Sequence, residues 1–109
     1  MPVADTSQLI SGVAERYAST LFELALEEGV VEGVSADLDR FQALLDESAD
    51  LKRLVASPVF TAEDQSKALV AICEKAGISG LVANFLKVVA GNRRLFALPG
   101  MIKGFKIIA

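Results

Sequence analysis

Residues 12–29 read GVAERYASTLFELALEEG, and the distribution of their apolar side chains around a helix decides what kind of protein this is. With Ile10 at zero and about 100° per residue, Val13, Tyr17 and Leu24 fall between roughly 300° and 340°. Ala14, Ala18, Leu21, Phe22 and Ala25 fall between roughly 20° and 120°. The apolar arc therefore spans about 180°, against the ~100° stripe that a single core requires. Thr20 borders the first group, and Arg16, Ser19 and Glu23 form the polar back. This segment reads as a helix with two apolar faces.

Helical periodicity continues along the chain and no strand alternation survives for more than a few residues. The first helix is predicted from about Ser7 to Glu28, ended by Gly29, a residue suited to a C-terminal cap. The second covers about Val31 to Glu47, where Val31, Val34, Leu38, Phe41 and Leu45 recur at spacings of three and four as one narrow stripe. A short third helix, Ala49 to Ala56, is stopped by Ser57-Pro58. The fourth opens at TAED, with Thr61 as cap and Asp64 at the box position, and ends at Gly77. The fifth starts near Ser79, a plausible cap, and reaches Ala90 before Gly91-Asn92. The sixth begins around Leu95 with Pro99 in its first turn. The expected fold is an all-α six-helix bundle with connections of about two to five residues.

Composition agrees. The chain has 109 residues, enough for one domain with a small core; 52% are hydrophobic, and there is no Trp or His. Net charge is −3 but unevenly placed. Residues 1–86 hold all 14 acids and six bases, whereas residues 87–109 hold Lys87, Arg93, Arg94, Lys103 and Lys106 and no acid. Five bases interleaved with Leu, Phe and Ile are too dispersed for a nucleic-acid footprint. They read as a solvated basic end that complements helix C-terminal dipoles, with contact to anionic lipid as the lesser alternative. The opening MPVADTSQ lacks the charged start and apolar run of a signal peptide, and no uncharged run approaches a bilayer span. A soluble or peripherally bound protein is expected. The final helix carries Ile102, Phe105, Ile107 and Ile108 up to the last residue without a polar cap, so the chain reads as a fragment of something longer.

Reactive chemistry finds no footing. Without His the usual general base near neutral pH is missing. The paired carboxylates Glu27-Glu28, Asp37-Asp39, Asp46-Glu47 and Glu63-Asp64 lie on polar faces or at helix ends. Gly77-Ile78-Ser79-Gly80 and Gly91-Asn92-Arg93-Arg94 lack the spacing and preceding strand of a phosphate loop and read as helix stops. The single cysteine, Cys73, excludes an intrachain disulfide and a thiolate zinc site, and reads as a buried small hydrophobe. No catalytic residue, cofactor site or metal site is expected.

The excess apolar surface is the remaining clue. The fifth helix repeats it: Leu81, Val82, Phe85, Leu86, Val88 and Val89 cover about 160°, interrupted only by Asn84 and Lys87. Either the first and fifth helices are central, or each buries one side and offers the other to a partner. A six-helix domain this small can hardly surround two helices, which favours an amphipathic helix laid in a groove between them.

Three motifs in register carry a family resemblance. Arg16-Tyr17-Ala18-Ser19-Thr20-Leu21-Phe22-Glu23-Leu24-Ala25 resembles the RYAxAL..LA signature of the delta subunit of F-type ATP synthase, whose mitochondrial counterpart is the oligomycin sensitivity-conferring protein. Leu54-Val55-Ala56-Ser57-Pro58 resembles its short third helix and stop. Asn84 to Leu95 resembles its N.L..l..N.RL segment, and Leu98-Pro99 with the following helix fits as well.

The resemblance implies that residues 1–109 form the N-terminal six-helix domain, and that a smaller C-terminal domain, which would engage the peripheral-stalk b subunits, is absent. It implies a non-catalytic stator that binds the N-terminal helix of an alpha subunit between its first and fifth helices, so that rotor motion is coupled to ATP synthesis. Carried over by position, Tyr17 and Thr20 face that groove from the first helix and Val88 from the fifth. The helical wheel adds Val13, Leu24, Leu81, Asn84 and Phe85. The expected location is peripheral, on the cytoplasmic side of a bacterial inner membrane, with a mature organellar form less favoured, and the isolated domain is expected to be a monomer. The competing reading is a helical adaptor for some other amphipathic helix.

Overall fold

Each apolar stripe read above becomes one helix. The computed structural model describes residues 6–57 and 59–109, with residues 6–11 described by their backbone alone. In order these form α1 (Thr6–Glu28), α2 (Val31–Glu47), α3 (Ala49–Ala56), α4 (Ala62–Ala76), α5 (Leu81–Gly91), a 3-10 turn (Leu95–Ala97) and α6 (Leu98–Ile108). No strand occurs among the described residues. Ile10's side chain and the Pro58 stop lie outside them.

Helix ends follow local chemistry. Gly29 has φ 70° and Gly77 has φ 74°, left-handed values that a residue without a Cβ adopts at no steric cost. Around Gly29 the Val30 N–H donates to the Ala25 carbonyl at 2.8 Å, closing a Schellman turn over α1. Thr61 Oγ1 accepts from the Asp64 N–H at 3.0 Å, capping α4 as its sequence predicts.

One expectation is corrected at α5. Its N-cap is Gly80, not Ser79; Gly80 has φ 66° and ψ −133°, a backbone region essentially closed to other residues. At the other end α5 stops as predicted, with Gly91 its last residue and Asn92 its C-cap, and the left-handed residue that follows is Arg93, with φ 59°. Arg94 N–H donates to the Val89 carbonyl at 2.9 Å across it. Arg93 Nη1 donates to the Phe60 carbonyl at 2.7 Å, a tertiary bond that helps hold this turn. The predicted start of the sixth helix also shifts, because Leu95–Ala97 form the 3-10 turn and α6 itself begins at Leu98 with Pro99 in its first turn.

The bundle packs in pairs. α1 lies along α6, α4 along α5, and α2 rests against α1, α3, α5 and α6. Phe41, Leu38, Leu69, Leu86, Leu98 and Phe105 are fully buried at the centre. The α1–α6 seam is closest: a Cβ at Gly100 would lie 3.1 Å from that of Ala14, and one at Gly104 3.1 Å from that of Ala18. Glycine facing alanine lets these two backbones approach more nearly than larger residues permit. Gln65 is the one buried polar residue among those described, and its Nε2 donates to the Leu54 carbonyl at 3.0 Å, fastening α4 to α3.

The basic end also acts within the bundle. Lys106 Nζ donates to Asp39 Oδ2 at 2.9 Å and Ser35 Oγ at 2.6 Å, tying α6 to α2 across the chain. Among the described residues no helix is long and apolar enough to cross a membrane.

Candidate partner-binding groove

α1 serves two surfaces, as its wide arc requires. Ala14, Ala18, Leu21 and Ala25 are buried against the bundle, and Phe22 packs edge-on against Phe105 with ring centroids 5.8 Å apart. The other apolar face looks into a groove of about 550 Å³ between α1 and α5.

All eight residues predicted for a partner site line this groove. From α1 come Val13 and Tyr17, both half-buried, with the exposed Thr20 and with Leu24 at 41% exposure. From α5 come half-buried Leu81 and Phe85, exposed Asn84, and Val88 at 55% exposure. An apolar side chain left this open on a well-packed bundle forgoes burial energy that a covering partner would recover. Thr20 differs from the rest, because its hydroxyl donates to the Arg16 carbonyl of its own helix at 2.9 Å.

Tyr17 stands where the two walls meet. Its ring makes an edge contact with Phe85, centroids 6.3 Å apart and planes at 69°. Its hydroxyl accepts from Asn92 Nδ2 at 3.0 Å. The tyrosine thus presents apolar ring surface together with a polar tip, the combination favoured at interface anchors.

Four lining residues escaped the sequence reading: Arg16, Leu21, Asn92 and Arg94. Arg16 falls on the polar back of α1 by the wheel, but a long side chain leans and reaches beyond its position there. Leu21 sits at the border between core and groove. Asn92 and Arg94 follow α5, so a wheel drawn for that helix alone does not hold them; the Asn-Arg-Arg-Leu run was the available signal. The two arginines give the groove a positive rim, and among the described residues no Asp or Glu lines it.

A larger hollow, about 1000 Å³, runs along α1 and α6 past Lys103, Ile107 and Ile108. It exists because the Ala14/Ala18 and Gly100/Gly104 seam offers no side chains to fill the furrow above it. It lacks the groove's paired apolar walls.

Cys73, on α4, is buried away from the groove. Burial pushes its thiol above the ordinary value of 9.0, the Asp37 carboxylate adds to this, and Lys87 opposes it. That is the opposite of what a nucleophilic thiolate requires. Among the described residues no group of His, Cys, Asp and Glu is placed to hold a metal ion.

Comparison of the sequence with known proteins gives consistent matches. A family model described as ATP synthase delta (OSCP) subunit matches residues 13–109. Over all 109 residues the chain is 83% identical to ATP synthase subunit delta of Rhizobium leguminosarum bv. trifolii (strain WSM2304). It is 75% identical to that of Agrobacterium fabrum and 72% identical to that of Rhizobium meliloti, again over its full length. In each case the match covers 58% of the relative, so the chain spans a little under three-fifths of the curated proteins it resembles.

Proposed function

The chain belongs to the ATP synthase delta (OSCP) subunit family, and from that premise we propose that it is the head-binding part of a peripheral-stalk subunit of F-type ATP synthase. Its role is to hold, not to catalyse. The α1–α5 groove takes the N-terminal helix of an alpha subunit, and the bundle carries that attachment toward the rest of the stalk. Contact with the b subunits belongs to the further domain expected in a full-length relative. The complex lies against the membrane of a bacterial cell, and this chain reaches that membrane only through its partners.

One observation carries the reading: Val13, Tyr17 and Leu24 of α1 and Leu81, Phe85 and Val88 of α5, all half-buried or exposed, line a single groove, and both helices bury their other sides. A groove of this kind accepts the apolar face of an amphipathic helix, with anchors spaced at three and four residues. Its positive rim favours a helix whose flanks carry carboxylates.

The test is an NMR titration of the 109-residue chain with a synthetic peptide carrying the N-terminal segment of a Rhizobium ATP synthase alpha subunit. Saturable shifts should concentrate on α1 and α5. Saturable shifts elsewhere, or none at all, would refute the assignment.

A further inference from the structure

Tyr17 and Asn92 are 75 residues apart in sequence, and their side chains meet across the mouth of the groove. We infer that Asn92 is a positioning residue, which holds the Tyr17 ring in the pose from which it meets a docked helix. This rests on the groove reading proposed above.

Asn92 is itself well anchored. It is the C-cap of α5, and its backbone N–H donates to the Val88 carbonyl at 3.0 Å. The next residue, Arg93, turns the chain left-handed and ties it to Phe60. The amide therefore projects from a closed turn. Tyr17 comes from α1, which shares only sparse direct packing with α5. Phe85 limits the ring from one side, and the Asn92 amide fixes the hydroxyl.

The bond lies at an exposed position, where one neutral hydrogen bond adds little to folding. Its effect falls on the groove. A ring that is already fixed loses less freedom when a partner covers it, so the tether acts by preorganisation. Because Asn92 donates and Tyr17 accepts, the phenol keeps its own proton. The docked helix is thus expected to offer Tyr17 a hydrogen-bond acceptor, such as a carboxylate or an amide oxygen.

The test uses the 109-residue chain, its variants Asn92→Ala, Tyr17→Phe and the double variant, and the alpha-subunit N-terminal peptide in isothermal titration. Each single change should weaken binding by about two- to tenfold, the range expected for one immobilised side chain. The double variant should be no weaker than the weaker single one, because both remove the same tether.

A spectroscopic signature separates positioning from a general loss of stability. The chain has one tyrosine and no tryptophan, so its ultraviolet emission reports Tyr17 alone. Asn92→Ala should lower the anisotropy of that emission with circular dichroism unchanged, and Asn92→Asp, which can accept from the phenol, should restore it. Unchanged affinity and anisotropy in Asn92→Ala would overturn the inference and leave the groove reading standing, as would fully additive effects. If the unmodified chain fails to bind the peptide, the groove reading falls and this inference with it.

Discussion

Val88→Ala separates the groove from the core on which it rests. Val88 is 55% exposed at the groove wall, whereas Leu86, two residues earlier on α5, is fully buried. The change removes two methyl groups, worth about 1.6 kcal/mol when fully covered. The 55% still open to solvent represents about 0.9 kcal/mol that only a partner can recover. Peptide affinity should therefore fall about four- to fivefold. The part already covered is worth about 0.7 kcal/mol to the fold, and the better helix propensity of alanine returns up to about the same amount. Thermal unfolding of Val88→Ala should thus stay within a few degrees of the unmodified chain. Leu86→Ala is the control: it opens a core cavity, costs about 2–5 kcal/mol and lowers the midpoint by about 4–8 °C per kcal/mol. The two variants are compared by calorimetric unfolding and by titration with the alpha-subunit peptide. If Val88→Ala lowers stability as Leu86→Ala does, or binds the peptide with unchanged affinity, Val88 is not a partner-facing residue.

Three further outcomes follow from the packing. Gly104→Val places a branched side chain where even a Cβ would stand 3.1 Å from that of Ala18; overpacking should cost about 1–3 kcal/mol in urea unfolding. Gly80→Ala meets no neighbouring atom, yet its φ of 66° and ψ of −133° should make it destabilising by about 1–3 kcal/mol, read in the same assay. Cys73 is protonated more firmly in the folded chain than in the unfolded one, so its contribution to stability is complete below the ordinary value of 9.0 and is lost as pH rises through the higher folded value. Native protein should accordingly resist thiol-specific reagents that label the unfolded chain readily, and a Cys73→Ala variant should lose less stability between pH 8 and 10 (about those limits) than the unmodified chain.

Much of this fold is legible because its signals are local. The three-and-four spacing from Val31 to Leu45 needs only a helix to make sense, and α2 has the predicted bounds. Thr61 caps its own helix three residues on. What escaped was set from outside the segment. Arg93 adopts a left-handed backbone that its residue type does not advertise, and one of its partners is a carbonyl 33 residues earlier. Ser79 is an attractive cap in isolation, but the chain enters α5 through a conformation that Gly80 alone can take. The groove followed the same rule. Helix periodicity could assign Val13, Tyr17, Leu24, Leu81 and Val88 to apolar faces. It could not place Asn92, which meets Tyr17 only after the chain has folded back.

The glycine–alanine seam has a mechanical consequence for the groove on the other side of α1. Long side chains between helices act as soft springs, because their torsions yield at little cost. Between α1 and α6 the contact at Ala14 and Ala18 is nearly backbone on backbone. A sideways pull on a helix lodged against Tyr17 would enter α1 and pass into α6 with little give along the load path, and Lys106 would share the strain with α2 through Asp39. Small residues at this seam thus determine how stiffly the domain resists a tug, apart from how tightly it grips.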